Sequence, residues 1–301
     1  MIPEPAVTGT VPFGDYKTWY RITGDLTSSA TPLVVLHGGP GCSHDYVLPI
    51  ANVANSGRAV VHYDQLGSGR STLLPEKRAD FFSVELYLAE LNNLLMHFGI
   101  EDDYYILGQS WGAMLGAEHA VLRPHGLKGL ILSNGLASAA TWASEAKRLI
   151  GEMPAKHRDV LEHAVSTGDF TSDAFKVAEG AYYDEHVCRL TPKPREYDVT
   201  TEYMDADGTV YATMWGPSEF APTGSLVSWS IVERLQQITA PTLVISGRHD
   251  EATPLVQKEF TDNISHAEQL ILENSSHMPF FEEPELYIQA VNAFLEKCES
   301  N

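Results

Sequence analysis

The chain reads as short, nearly unbroken apolar runs, each closed by glycine or a polar cluster. "PLVVLHGGPG", "RAVVHYDQLGSGRS" and "DYYILGQSWG" set the pattern; "LKGLILSNG", "APTLVISGRHD" and "EQLILENSSH" repeat it. Between them lie amphipathic stretches with helical spacing, such as "SVELYLAELNNLLMHFG" and "PELYIQAVNAFLEKC". Apolar strands alternating with helices predict an α/β fold, a mostly parallel sheet with helices on both faces. The early stretches "AVTGTVPF" and "KTWYRITG" read as an antiparallel opening hairpin.

From about Gly135 to Leu235 the strand rhythm stops. The region is rich in Ala, Glu, Tyr and Trp, with Pro at 154, 192, 194, 217 and 222. It is expected to be a helical insertion, a cap domain (135–235) over the carboxyl edge of a core formed by 1–134 and 236–301.

Composition narrows the function. The chain has 301 residues and is 44% hydrophobic, enough for one core plus an inserted subdomain. A formal charge of −20 and the lack of a basic stripe argue against nucleic-acid partners. No run of about 18 apolar residues suggests a membrane span. The opening "MIPEPAVTGT" has neither a basic n-region nor an apolar h-region. Cys42, Cys188 and Cys298 are odd in number and share no metal spacing. Free thiols in a cytoplasmic protein are expected.

The chemistry starts at "GQSWG", Gly108 to Gly112, a G-x-S-x-G pentapeptide between an apolar strand and a helix. A serine on so tight a turn presents its hydroxyl, and Ser110 is the candidate nucleophile of an α/β-hydrolase fold. It needs a base, and on this fold the order is Ser, acid, His. His277 follows the strand "EQLILEN" at the carboxyl edge, whereas His266 precedes it and His119 and His125 belong to the nucleophile helix and its end. The third member must orient the imidazole. The loop after "LVIS" carries Asp250 and Glu251, and side chains of neighbours on an extended loop diverge, so only one can meet His277. The oxyanion needs two N–H donors, expected from the backbone of Trp111 and of Gly39 in "HGGPG".

Other chemistries fail at particular residues. "GSGRST" lacks the third glycine of a dinucleotide loop, and "GGPGCSHD" lacks the lysine of a P-loop. No H-E-x-x-H or paired C-x-x-C occurs, so neither metal nor cofactor is expected and His37, His44 and His62 read as structural.

"HGGPG", "YDQLGSGRS", "GQSWG", "GPSEF" and "GRHDEATP", in that order, resemble the proline iminopeptidase (prolyl aminopeptidase) family of α/β-hydrolases. The family releases N-terminal residues, often proline, from short peptides, and some relatives act on amino-acid amides or esters. The resemblance implies Ser110 as nucleophile, Asp250 as triad acid and His277 as base. It also implies that Glu251 and Glu219, the latter in "GPSEF", grip the substrate's free ammonium. An ammonium entering a closed cleft must be paired or its desolvation is prohibitive.

In "TMWGPSEF", Trp215 stands where the family usually carries a small polar residue, often Asn. A tryptophan there is expected to narrow or reshape the substrate pocket. Trp215 suits a second reading, an esterase or lactonase for a neutral small molecule; the glutamate pair does not. A third reading, a ligand receptor on the same fold, is compatible with an intact triad.

Overall fold

The computed structural model describes residues 2–300. The apolar runs form one eight-stranded sheet: β1 (Val7–Phe13), β2 (Tyr16–Thr23), β3 (Leu33–Leu36), β4 (Val60–Asp64), β5 (Tyr104–Gln109), β6 (Leu127–Ser133), β7 (Thr242–Gly247) and β8 (Ala267–Leu272). The spatial order is β1-β2-β4-β3-β5-β6-β7-β8. The hairpin β1–β2 and the β2–β4 pair are antiparallel; all other pairs are parallel. This is the α/β-hydrolase architecture.

Strand alternation divides the core between two layers. Val34, Leu36, Val61, Ile106, Leu130 and Val244 face one layer. Leu33, Val35, Val60, Leu107, Ile131 and Ile245 face the other. Helices cover both faces, as apolar residues on both sides of the fully buried central strands β3, β4, β5 and β7 require. They are α1 (Val84–Phe98), α2 (Trp111–Val121), α8 (Pro254–Asn263), α9 (Pro279–Glu282) and α10 (Pro284–Glu299), joined by a 3₁₀ stretch at His44–Ser56. Helix α1 shows why the boundaries fall where they do. Ser83 caps its start by accepting from the Leu86 N–H, and Gly99, at φ 65°, ends it in the left-handed region.

Between β6 and β7 the chain runs through five helices: α3 (Ala139–Glu152), α4 (Ala155–Thr167), α5 (Asp173–His186), α6 (Arg195–Ala206) and α7 (Thr209–Met214). The outgoing and returning segments meet. Ala139 N–H donates to the Trp229 carbonyl at 3.0 Å, and Ile231 N–H to the Ala137 carbonyl at 2.9 Å. Among the described residues, no helix is long and apolar enough to cross a membrane.

Candidate active site

Parallel strands aim their carboxyl ends at one edge, and at the β3/β5 pair the order of winding reverses, which opens a crevice there. Ser110 follows β5 at this point and has φ 55°, ψ −121°, a strained conformation for a residue with a side chain. Surroundings that leave no alternative hold it. A Cβ at Gly108 would overlap the Gly112 carbonyl, and one at Gly112 would overlap the Leu36 carbonyl. Ser110 N–H donates to the Ser133 carbonyl at 2.9 Å, tying the turn to β6. The next residue, Trp111, opens α2, where main-chain N–H groups have no carbonyl one turn back to bond. Gly39, at φ 108°, borders the same cavity.

His277 follows β8. Its Nδ1 lies 2.7 Å from Oδ1 of Asp250, which leaves Nε2 for the cavity side. Asp250 is fully engaged: Oδ1 also accepts the Ala252 N–H at 2.8 Å, and Oδ2 accepts the Asn134 amide at 2.6 Å. Burial works against a charged His277, but Asp250, by charge and hydrogen bond, and then Glu219 hold its pKa above the ordinary imidazole value.

Three residues that the sequence pattern did not single out tie these parts together. Gly38 N–H donates to the Tyr46 hydroxyl at 2.6 Å, Tyr46 donates to Gln109 Oε1, and Gln109 Nε2 donates to the His277 carbonyl at 3.1 Å. One relay thus joins the glycine loop, the nucleophile strand and the histidine loop. Asn134, at φ 53°, does the same for the acid.

The two glycine-rich motifs lock together. Gln65 N–H donates to His37 Nε2 at 2.9 Å, its amide donates to the His37 carbonyl, and its Oε1 accepts from the Trp111 indole at 2.8 Å. An Nε2 that accepts is neutral, consistent with burial lowering the His37 pKa to about 4. His44, Asp45 and Asp64 lie close enough together to surround an ion, but Arg70 already serves as their cation. Its guanidinium meets Asp45 at 2.7 and 2.9 Å and Asp64 at 3.5 Å.

The cavity above Ser110 and His277 has a volume of about 320 Å³. Glu219 and Glu179 reach its wall. Burial raises the pKa of Glu219; His277 and Tyr211 oppose the rise and Glu179 adds to it. Glu251 stands 4.0 Å from His277 Nε2 and is 1% exposed. Neither of its carboxylate oxygens has a hydrogen-bond partner. Burial, then Glu219 and Asp250, raise its pKa well above the ordinary value. Trp215 sits behind the wall rather than on it. It is buried, and its indole N–H donates to the Glu219 carbonyl at 3.1 Å, because the chain turns back after α7 and folds the ring under the Glu219 loop. Ser110, His277, Gly39 and Glu219 thus share one cavity, with Asp250 and Glu251 beside the imidazole.

The arrangement suits acyl transfer: a strained serine, an imidazole oriented by a carboxylate, free N–H groups at a helix start, and buried acids in need of a cation. The alpha/beta hydrolase fold model matches residues 31–284. A proline iminopeptidase of Clostridium botulinum is 38% identical over 290 residues, covering 96% of this chain and 98% of its own. Among solved structures, VinJ superposes with a TM-score of 0.96 at 47% identity, covering 98% of this chain and all of its own. The Mycobacterium smegmatis proline iminopeptidase superposes at 0.92 and 42%, covering 97% and 98%.

Proposed function

The chain belongs to the proline iminopeptidase family of α/β-hydrolases, and on that footing we propose a serine aminopeptidase that frees the N-terminal residue of short peptides or amino-acid amides. Residues 135–235 act as the cap that closes over the substrate. The Ser110 hydroxyl attacks the carbonyl carbon of the N-terminal residue and gives its proton to His277 Nε2. Asp250 keeps the Nδ1–H in place and stabilises the imidazolium. The Trp111 and Gly39 N–H groups hold the oxyanion. His277 returns the proton to the leaving amine, an acyl-enzyme forms, and water activated by His277 releases the amino acid and restores Ser110.

Glu219 and Glu251 hold the substrate ammonium. The observation that carries this reading is the Glu251 carboxylate, buried without a hydrogen-bond partner 4.0 Å from the base. A buried carboxylate of this kind is costly unless a cation arrives, and a neutral ester brings none. Each carboxylate attracts an ammonium at ~4 Å by about 4 kcal/mol at an effective dielectric of ~20, before desolvation. All three cysteines are unpaired, which supports a reducing, cytoplasmic location.

The test is a panel of prolyl and alanyl arylamides, each with a free or an acetylated amine. The reading expects turnover of the free amines only, abolished in Ser110→Ala. Equal turnover of the acetylated compounds would replace it with an esterase-like reading.

A further inference from the structure

The carbonyl of Glu219 accepts two indole N–H groups from separate parts of the chain. Trp142, on α3, donates at 2.9 Å, and Trp215, at the end of α7, donates at 3.1 Å. Both rings are buried, at 1% and 2% exposure. They pack edge to face with centroids 5.6 Å apart, and Trp142 also packs edge to face against the His277 imidazole at 6.2 Å. From Trp215 the loop closes on itself. The Trp215 carbonyl accepts the Thr223 and Gly224 N–H groups at 2.8 and 2.6 Å. Next to Glu219, the Ser218 hydroxyl donates to Glu179 at 2.7 Å.

We propose that Trp142 and Trp215 form a two-indole clamp that positions Glu219, through its main chain, as the ammonium-binding carboxylate, and that Trp142 links this grip to the base. This rests on the proposed amine recognition and adds the residues that set it. The physical argument is one of satisfaction. A buried carbonyl has two lone pairs, and here two ring donors fill both, which fixes the peptide from which the Glu219 side chain extends into the cavity. A tryptophan supplies the donor at the end of a rigid ring with few rotatable bonds. Trp215 therefore shapes specificity from behind the cavity wall. The clamp also gives the substrate's amine and the triad one shared reference. Trp142 touches His277 with its ring and Glu219 with its N–H, so a displacement of α3 moves both.

The roles are positioning roles, so the readout must separate recognition from folding. Trp142→Phe and Trp215→Phe keep an aromatic ring and delete the donor. Each is assayed on a prolyl ester and on its cyclopentanecarboxylate counterpart, in which a CH₂ replaces the amine. Glu219→Gln runs alongside, and thermal melts check the fold. The measured quantity is the ratio of kcat/KM for the two esters. Each single variant should lower that ratio about fivefold, the effect of one hydrogen bond, chiefly through KM. The double variant should lower it by more than the product of the singles, since only then does the carbonyl lose every donor. If a phenylalanine variant fails to fold, benzothienylalanine, isosteric with tryptophan but without the N–H, takes its place at the same position. An unchanged ratio in the tryptophan variants, with Glu219→Gln still lowering it, overturns the clamp and leaves amine recognition standing. An unchanged ratio in Glu219→Gln as well overturns both.

Discussion

Asp250 and Glu251, consecutive in the chain, stand at opposite nitrogens of one imidazole. Asp250 Oδ1 is 2.7 Å from Nδ1 of His277, and Glu251 Oε1 is 4.0 Å from Nε2. The bend of the loop between β7 and α8 sends the two side chains to different sides of the ring. On one side the carboxylate meets three donors: the Ala252 N–H, the Asn134 amide and the His277 ring share Asp250. On the other side it meets none.

The triad assignment makes the most severe prediction. Ser110→Ala should reduce kcat by several orders of magnitude with an unchanged melting temperature, and Asp250→Asn should reduce kcat far more than it raises KM, since an amide can hold the wrong tautomer. Steady-state kinetics with a prolyl arylamide decides it. Near-normal turnover in Ser110→Ala would remove the mechanism.

Asn134 should matter to catalysis chiefly through Asp250, although its amide also donates to the Ser276 carbonyl at 3.3 Å and its Oδ1 accepts the Ser133 hydroxyl at 2.6 Å. Asn134→Gly tolerates the left-handed backbone angle and deletes the 2.6 Å bond to Asp250. A loss of about tenfold in kcat is expected, the effect of one hydrogen bond to a charged group, with KM nearly unchanged. The same loss in KM would point to a role in binding.

Glu251 should weaken the empty enzyme. Its folded pKa is raised, so the folded state holds a proton that the unfolded state releases above ~4.3. Stability therefore falls as pH rises from there toward the folded pKa. Glu251→Gln should raise the melting temperature at pH 8 by about 2–5 °C, for ~1–2 kcal/mol, and change it little at pH 4.5. A lower melting temperature at pH 8 would mean that the carboxylate is paired after all.

The pH profile should carry the same charges. The free enzyme's His277 pKa is raised above the ordinary ~6.5, so the acid limb of kcat/KM lies above that value. A bound ammonium offsets the field of Glu219, lowers the His277 pKa, and moves the acid limb of kcat to lower pH. The alkaline limb of kcat/KM falls near ~8, where an α-amine loses its proton. Coincident acid limbs for kcat and kcat/KM would contradict this coupling.

Much of this was legible beforehand. Apolar runs ending in glycine mark the strands because burial on both faces of the central sheet favours apolar residues. G-x-S-x-G with a later histidine marks Ser110 and His277 because a sharp strand-to-helix turn admits little else. What stayed hidden depends on approach between distant segments. Tyr46, Gln109 and Asn134 have no motif of their own; their partners lie up to 168 positions away. Glu179 belongs to no motif, and only the packing of α5 brings it to the cavity wall. Trp215, expected to line the pocket, instead lies beneath the Glu219 loop, and only the fold of that loop decides which side of the wall a ring occupies.

Amine recognition is the central claim, and one comparison tests it most directly. Wild type and Glu251→Gln are assayed at pH 7 on a prolyl ester and on the matching cyclopentanecarboxylate ester. Wild type should favour the prolyl ester by at least about a hundredfold in kcat/KM. Glu251→Gln should give up about 2–4 kcal/mol of that preference, since truncating one side of a buried charge pair leaves the other unpaired, while its rate on the amine-free ester stays close to wild type. A wild-type enzyme that cleaves the two esters equally well would contradict the account.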